Sequence, residues 1–362
     1  MNIPAYFEQG GFVPGNPCCP LYVDQLPGVG GTLSGRPEDF IVDEIPAYEP
    51  KGDGHHWYVQ IRKRGMSTKA AQRLLADAAG VDPRDIGFAG RKDALAITTQ
   101  WFSLPAQPVD PKHDDLEILQ ENRHANKLRI GHLRGNRFKI CLRDVHPEAA
   151  ARLPALTDVI ARGVPNYFGP QRFGADGRGL AQSWAWLTNG RYRRKNRWID
   201  RRFSASVVQA ALYNRWLGAR VHDHLFERAL CGDVYKKRET GGLFIGTATS
   251  EEQQRLDGGE IDATGPLFGP KMKAATEDAG RREEAIRTEC GLEDKHWQVL
   301  GRSAAGGRRV ARIVPQAFTW SANDSDATVT MQFVLPPGAF ATNILAEIIQ
   351  DRRPTSGGGS ST

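Results

Sequence analysis

Residues 56–62 alternate between apolar and polar side chains. The apolar members are Trp57, Val59 and Ile61, and the residues between them are Tyr58, Gln60 and Arg62. Side chains with a period of two line opposite faces of a β-strand. The pattern therefore predicts a strand with one buried and one exposed face.

A helical pattern follows directly. Ser67 is a favourable N-cap residue, and Gly80 is a favourable C-terminal stop. The apolar residues between these two positions recur at helical spacing: Ala71, Leu74, Leu75, Ala78 and Ala79. The spacing predicts an amphipathic helix between residues 67 and 80.

The same reasoning predicts strands over 98–104, 136–145 and 328–333, and helices over 205–221 and 340–352. Residues 232–310 are broken by glycines and charged residues, and few strong elements are predicted there. Strand-rich ends thus enclose a helical middle. This order predicts an α+β domain that is interrupted by an inserted domain.

The two termini have a different composition. Residues 1–28 are rich in proline and glycine without periodicity, so an extended N-terminal arm is predicted. The last seven residues read SGGGSST, which predicts a disordered end.

The charge balance bears on the partner. The chain of 362 residues has 48 lysines and arginines against 42 acidic residues, a net charge of +6. This excess fits a polyanionic partner. No apolar run is long enough to span a bilayer, and the N-terminus lacks the order of a signal peptide. A cytoplasmic protein that does not bind membranes is expected.

Five cysteines are scattered along the chain: Cys18, Cys19, Cys141, Cys231 and Cys290. An odd number in a chain of this length argues against a disulfide framework. There is no CxxC, and no histidine pair with ligand spacing stands near a cysteine. We therefore expect reduced thiols and no metal site.

Asp93 is the main candidate for chemistry. It follows Arg91 and Lys92, which would favour its ionised form. Gly87 and Gly90 would let a substrate approach the backbone closely. A carboxylate here could act as a nucleophile, as a general base or as a turn cap, and spacing alone leaves these alternatives open.

Three segments combine aromatic and basic residues. They are RGNRFK at 134–139, NYFGPQRFG at 166–174 and the run RYRRKNRWIDRR at 191–202, which holds seven basic residues and one acidic residue. Each could contact bases and phosphates. The alternatives are a core Phe138 between solvated charges, a tight structural corner at 166–174, and a solvated charged segment at 191–202.

Together, five motifs resemble the TruD family of tRNA pseudouridine synthases. They are RPEDFIVDE at 36–44, GFAGRKDALAITTQ at 87–100, RGNRFKI at 134–140, GVPNYFGPQRFG at 163–174 and LPPGAFAT at 335–342. The resemblance runs from about Gly31 to about Gln350. It implies an enzyme that isomerises a uridine of tRNA, expected to be uridine-13, without a cofactor.

The resemblance also implies a fold. A V-shaped molecule is expected, in which one arm is the pseudouridine synthase catalytic domain, an α+β fold on a mixed, largely antiparallel sheet. This domain would comprise 29–162 and 315–352, interrupted by a family-specific inserted domain at 163–314. The arm at 1–28 and a disordered tail at 353–362 would flank them.

Site residues follow from the same resemblance. The catalytic aspartate of the family falls on Asp93. The expected substrate-binding residues are Asn136, Phe138, Phe340, Arg91, Lys92, Arg36, Gln171 and Arg172. Phe138 would stack on the flipped base, Phe340 would help to close the pocket, and Asn136 would help to position Asp93 or the base.

Two positions depart from the family pattern. Ser34 stands where a lysine is expected before PEDF, and Arg36 could replace that charge. Ala346 stands where relatives often carry an arginine before the glutamate, which is Glu347 here. Both departures concern contacts with the target nucleotide or its neighbours, and neither touches Asp93.

Other functions were weighed against this one. The main alternative is an RNA-binding or RNA-folding protein on the same scaffold without catalysis, against which the intact Asp93 motif argues. A methyltransferase would need a glycine-rich loop after a strand, and no convincing one is present. A purely structural module is the weakest candidate. The sequence implies no protein partner, and a monomer is expected.

Overall fold

The computed structural model describes residues 15–16, 18–174, 178–189 and 201–350. Its strands are β1 Gly30–Thr32, β2 Phe40–Pro46, β3 His56–Arg64, β4 Gly87–Phe88, β5 Ile97–Leu104, β6 Leu116–His124, β7 Leu133–Val145, β8 Val164–Pro165, β9 Val234–Lys237, β10 Leu243–Ile245, β11 Ile261–Leu267, β12 Gly307–Val310, β13 Arg312–Ile313, β14 Gln316–Asn323 and β15 Thr328–Leu335. Its helices are α1 Thr68–Ala79, α2 Ala149–Arg162, α3 Arg178–Asn189, α4 Arg201–His222, α5 Ser250–Asp257, α6 Glu277–Glu289, α7 Asp294–Ser303 and α8 Ala341–Ile349.

The chain divides into two compact units. The first unit comprises Leu26–Ala161 and Val314–Ala341. The second unit comprises Arg162–Ile313, Thr342–Gln350 and the segment that ends at Gln25. Each unit is described by itself below.

A nine-stranded sheet forms the first unit. Seven strands follow the order β14-β15-β7-β2-β5-β3-β6, with β1 paired to β7 and β4 paired to β5. Among these described strands only β2 and β5 run parallel, with Ile41 opposite Ile97. All other pairs in this sheet are antiparallel. The predicted α+β class with a mixed, largely antiparallel sheet is confirmed.

Helix α1 covers one face of this sheet. The Ser67 side chain accepts a hydrogen bond from the Ala70 amide, and Gly80 ends the helix in the left-handed conformation with φ 66°. Both ends of the predicted helix are thereby confirmed. Its apolar face belongs to a buried cluster with strand residues of β3 and β5, which includes Ala71, Leu75, Val59, Ile61 and Phe102.

The second unit is built around the buried helix α4 and a four-stranded sheet in the order β10-β9-β11-β12. A two-stranded sheet of β8 and β13 belongs to the same unit. Close packing joins α4 to the larger sheet at Gly265. A Cβ atom there would lie only 2.3 Å from a ring carbon of Trp216, so no other residue fits without displacement.

The prediction of few strong elements at 232–310 is wrong, because four strands and three helices lie there. Strand β11 reads IDATGPL and is buried on nearly its whole length, so it shows no alternation. The three helices are mostly polar and bury few side chains. Their formation depends on tertiary packing and on caps such as the Thr249–Glu252 capping box.

The other predicted elements agree with the structure within a few residues. The tail at 353–362, residues 1–14 and 17 of the arm at 1–28, and residues 191–200 of the basic run at 191–202, including Tyr192 and Trp198, lie outside the described residues.

Candidate active site

Asp93 lies in the loop that joins β4 to β5. Its side chain is exposed, and its Oδ1 atom accepts a hydrogen bond of 3.2 Å from the Leu95 amide. This bond forms a local turn and holds the carboxylate at the outer side of the loop. The predicted catalytic residue is thus accessible to a substrate.

Lys92 points the opposite way. Its Nζ atom lies 2.6 Å from Oε2 of Glu44, and the two side chains are only 4% and 1% exposed. Glu44 also accepts a hydrogen bond of 3.2 Å from the Trp101 amide through Oε1. Burial raises the pKa of Glu44, and the Lys92 ammonium opposes that shift. The contact of Lys92 with substrate stays a prediction. The Lys92 ammonium is already paired with the Glu44 carboxylate.

Lys63 was missed by the sequence analysis. It is fully buried, and its ammonium donates to the carbonyl oxygen of Met66 and, at 3.2 Å, to that of Asp93. Burial lowers its pKa to about 8, with Asp93 opposing and Lys92 adding to that shift. The sequence did carry a signal for the burial of Lys63, because this residue follows Val59 and Ile61 on the inward face of the alternating strand.

A chain of polar contacts fixes the loop from below. The Thr68 hydroxyl accepts a hydrogen bond of 2.8 Å from the Lys92 amide and donates one of 3.1 Å to the Gln100 side-chain oxygen. The Gln100 amide group in turn donates to the Gly90 carbonyl. Buried polar groups that satisfy one another in this way hold a loop in a single conformation.

Gly87 does not offer space to a substrate as predicted. It is buried, and a Cβ atom there would lie 2.1 Å from the carbonyl oxygen of Leu128. That space is therefore occupied by protein. At Gly90, by contrast, a Cβ atom would meet only the end of the Lys92 side chain, at 3.8 Å.

Asn136 and Phe138 lie on β7. Asn136 pairs in register with Glu44 on β2, so it neighbours the Lys92–Glu44 pair. Its Oδ1 atom is buried and has no hydrogen-bond partner within the described chain. Phe138 is 7% exposed and stacks on Phe333 at 5.5 Å between centroids. This burial matches the alternative of a core Phe138 between exposed Arg137 and Lys139.

The remaining predicted site residues of the first unit are more exposed. Arg91 and Arg36 are exposed, and Phe340 is half-buried just before α8. The Arg36 amide donates to the Ser34 hydroxyl, which also hydrogen-bonds to Asp39. Two hydrogen bonds from Arg143 lower the pKa of Asp39. Ser34 therefore supports the turn before β2.

Gln171 and Arg172 lie in the second unit, in the 3-10 turn Pro170–Arg172. Gln171 is exposed, and the Arg172 guanidinium lies 5.5 Å from the centroid of the Phe168 ring. Phe168 is held through its backbone by two hydrogen bonds with the Asn214 side chain, of 2.8 and 2.9 Å. Its neighbour Tyr167 is buried as well. Residues 166–168 thus form a tight structural corner, and exposed Gln171 stays a candidate for contact.

Comparison with known proteins identifies the family of this chain. The family model described as tRNA pseudouridine synthase D (TruD) matches residues 19–179 and 201–348. The chain belongs to the TruD family. It is 41% identical over 340 residues to tRNA pseudouridine synthase D of Anaeromyxobacter sp. strain Fw109-5, covering 91% of this chain and 96% of that relative. Identity to a Thermus thermophilus protein of the same name is 38% over 336 residues, covering 91% and 92%.

A solved structure shares the fold. A crystal structure from Methanosarcina mazei that carries the TruD family name matches with a TM-score of 0.71 at 24% identity, covering 92% of this chain and 97% of that one. The predicted family is therefore confirmed by sequence and its fold by structure. Within the described ranges, no helix is both long and apolar enough to cross a membrane.

Proposed function

We propose that this chain converts a uridine of tRNA, expected to be uridine-13, into pseudouridine. The observation that carries the proposal is the exposed Asp93 carboxylate on a loop anchored from beneath by the buried Lys92–Glu44 pair. Curated relatives that match over nine tenths of the chain carry the name tRNA pseudouridine synthase D. In this proposal the catalytic domain comprises 29–162 and 315–352, and 163–314 is the inserted domain.

The reaction exchanges one glycosidic bond for another. The target uridine must leave the folded RNA before Asp93 can reach it. Asp93 then attacks C1′ of the ribose or takes the proton from C2′, and the bond from C1′ to N1 of the base breaks. The uracil rotates and C5 forms the new bond to C1′, which breaks the ester bond between Asp93 and C1′ in the first route and returns the proton to C2′ in the second. A base then removes the proton of C5, and N1 regains a proton.

The other proposed site residues have three roles. Asn136, Phe138 and Phe340 are proposed to hold the base, and the exposed Arg91 and Arg36, with Gln171 and Arg172, to contact the RNA. Lys92 and Lys63 are proposed as positioning residues, since their ammonium groups hold Glu44 and the Asp93 backbone.

Release of tritium from tRNA transcribed with uridine labelled at C5 tests this function. In this isomerisation C5 loses its hydrogen when it becomes the glycosidic carbon. We expect release by the unaltered protein and none above background by Asp93→Ala. Asp77→Ala, an exposed aspartate of α1, serves as the matched control and should retain full release. A transcript with cytidine at position 13 should abolish release if uridine-13 is the target.

The outcomes separate the alternatives. If the protein binds tRNA with micromolar or better affinity but releases no tritium from any of several tRNAs, it is an RNA-binding protein without catalysis. If release persists when position 13 is changed, the activity stands and the target is another uridine.

We further propose a monomer that acts in the cytoplasm. The odd, scattered set of five cysteines supports a reducing compartment such as the cytoplasm. Sedimentation velocity at micromolar concentration should give a single species near 40.0 kDa. A species of twice that mass would contradict the monomer.

A further inference from the structure

We propose that a basic pocket in the first unit binds a backbone phosphate of the RNA substrate. This inference rests on the proposed function. The pocket has a volume of about 600 Å³. It is lined by three cationic side chains and three aromatic or imidazole rings: Lys51, Lys127, Arg129, Tyr48, His124 and His132. We call it the basic pocket.

The charged side chains that line the basic pocket are all positive. Among the residues that the structure describes, its lining contains no carboxylate. Lys51 and Arg129 are exposed, while Lys127 is half-buried and its ammonium donates to the carbonyl oxygen of Arg84 at 3.0 Å. Cations at the rim of a concave surface favour an anion, and phosphate accepts hydrogen bonds from lysine and arginine.

The ring wall of the basic pocket is rigid. The Tyr48 ring stacks on His124 with centroids 4.9 Å apart and an angle of 18°. Its hydroxyl lies 2.8 Å from Nδ1 of His132 and 3.2 Å from the hydroxyl of Tyr58. His124 is 5% exposed, and its buried Nδ1 atom has no hydrogen-bond partner in the described chain. A wall that is already fixed by these contacts needs little rearrangement when a ligand binds.

The segment 124–131 that forms the basic pocket is attached to the Asp93 loop. The Gly131 amide donates to the Ala89 carbonyl at 2.7 Å, and the Leu128 amide donates to the Ser103 hydroxyl at 2.9 Å. Gly87 allows the close approach of Leu128 that was described above. The pocket and Asp93 therefore belong to one framework. A phosphate bound in the pocket would fix the register of the RNA relative to Asp93.

An RNA backbone is the ligand that fits this position best. The substrate of the proposed reaction carries a phosphate at every nucleotide, and extruding a uridine requires that the strand be held beside it. Contacts to phosphate position a nucleic acid without reading its sequence. The basic pocket is thus assigned to substrate binding and orientation, and the chemical step stays with Asp93.

The test replaces the two exposed cations together, as Lys51→Gln with Arg129→Gln. The matched control is Arg62→Gln with Lys112→Gln, which removes the same charge from exposed positions beside Glu117 and Asp110. Filter binding gives Kd for unmodified tRNA at salt concentrations from about 50 to about 300 mM, a range over which phosphate contacts weaken measurably. Tritium release gives KM and kcat.

For the pocket variant we expect Kd and KM to rise about tenfold at roughly 0.1 M salt, with kcat changed less than about twofold. The slope of log Kd against log salt concentration should become shallower by about 1 to 2, since each phosphate contact contributes about 0.7–0.9. The single variant Arg129→Lys, with Lys51 intact, should keep most of the affinity of the unaltered protein, because it retains the positive charge. The control variant should change Kd less than about threefold.

Equal losses in the pocket and control variants would overturn the proposal, since only overall charge would then matter. An unchanged salt slope would overturn it as well. These readings do not depend on catalysis: if the unaltered protein releases no tritium, the proposed function fails, while the salt dependence of Kd still decides whether the basic pocket binds RNA.

Discussion

The buried polar side chains beneath Asp93 hold the Asp93 loop in place. Asp93 itself makes one local hydrogen bond, whereas Lys92, Lys63 and Glu44 are buried and bond to the loop or to each other. A buried ion pair adds little to stability when intact but is costly to break from one side. Its value here lies in fixing which residue of the loop faces out.

Replacing Glu44 with Gln should show how strongly the folded state depends on the Lys92–Glu44 pair. The Lys92 ammonium would stay buried without a counter-charge, so we expect a loss of about 3–5 kcal/mol in the free energy of unfolding. Urea denaturation measures it. Glu38→Gln is the control, because its pair with Arg64 is about half exposed and should contribute only about 0–1 kcal/mol. Comparable losses in the two variants would show that burial of the Lys92–Glu44 pair is not the decisive factor.

Lys63 gives a pH dependence with a defined sign. Its pKa is about 8 in the folded protein, against roughly 10.4 in an unfolded chain. Between these values the unfolded state holds more protons, so the free energy of unfolding rises with pH as far as Lys63 contributes. Subtracting the curve of Lys63→Met from that of the unaltered protein should leave a rise of about 3 kcal/mol from about pH 8 to about pH 10.4.

The same subtraction with Lys69→Met provides the control, since Lys69 is exposed on α1. Its difference curve should be flat over this pH range. A flat curve for Lys63 too would mean that its ammonium is as well solvated as that of a surface lysine.

At the scale of elements, the short strand β4 organises the loops on either side of it. It pairs with β5, leads into the Asp93 loop and packs at Gly87 against segment 124–131. The backbone at Gly87 does not have a positive φ, so the requirement for glycine is steric. The two residues of β4 thus connect the Asp93 loop to segment 124–131.

Gly87→Ala should therefore destabilise the protein by about 1–3 kcal/mol through overpacking. The added methyl group would meet the Leu128 carbonyl, which is backbone and cannot rotate away. Thermal melting provides the measurement. Gly90→Ala in the same loop is the control and should change stability by less than about 1 kcal/mol, because its new methyl group meets only a flexible side-chain end. A melting temperature for Gly87→Ala equal to that of the control would contradict this account.

At the scale of the whole molecule, local patterns in the sequence predicted much of the first unit. Residues 56–62 and 67–80 carry strand and helix signals that the structure bears out, and the family motifs indicated Asp93. The pairing of Lys92 with Glu44 was not predictable in this way. It depends on how β2 and β5 lie side by side, which periodicity does not specify. In the second unit, β11 lacks alternation because it is buried along nearly its whole length.

The place of β15 in the sheet has a consequence for the newly made chain. Strand β7 pairs with β15 from Asn136 to Arg143, yet β15 begins only at Thr328. During synthesis nearly two hundred residues must therefore be added before that edge of β7 finds its partner. Until then the nascent chain presents an unpaired strand with Phe138 and Ile140 uncovered, an edge that invites association with other chains. A ribosome-bound intermediate with this edge exposed is prone to aggregation.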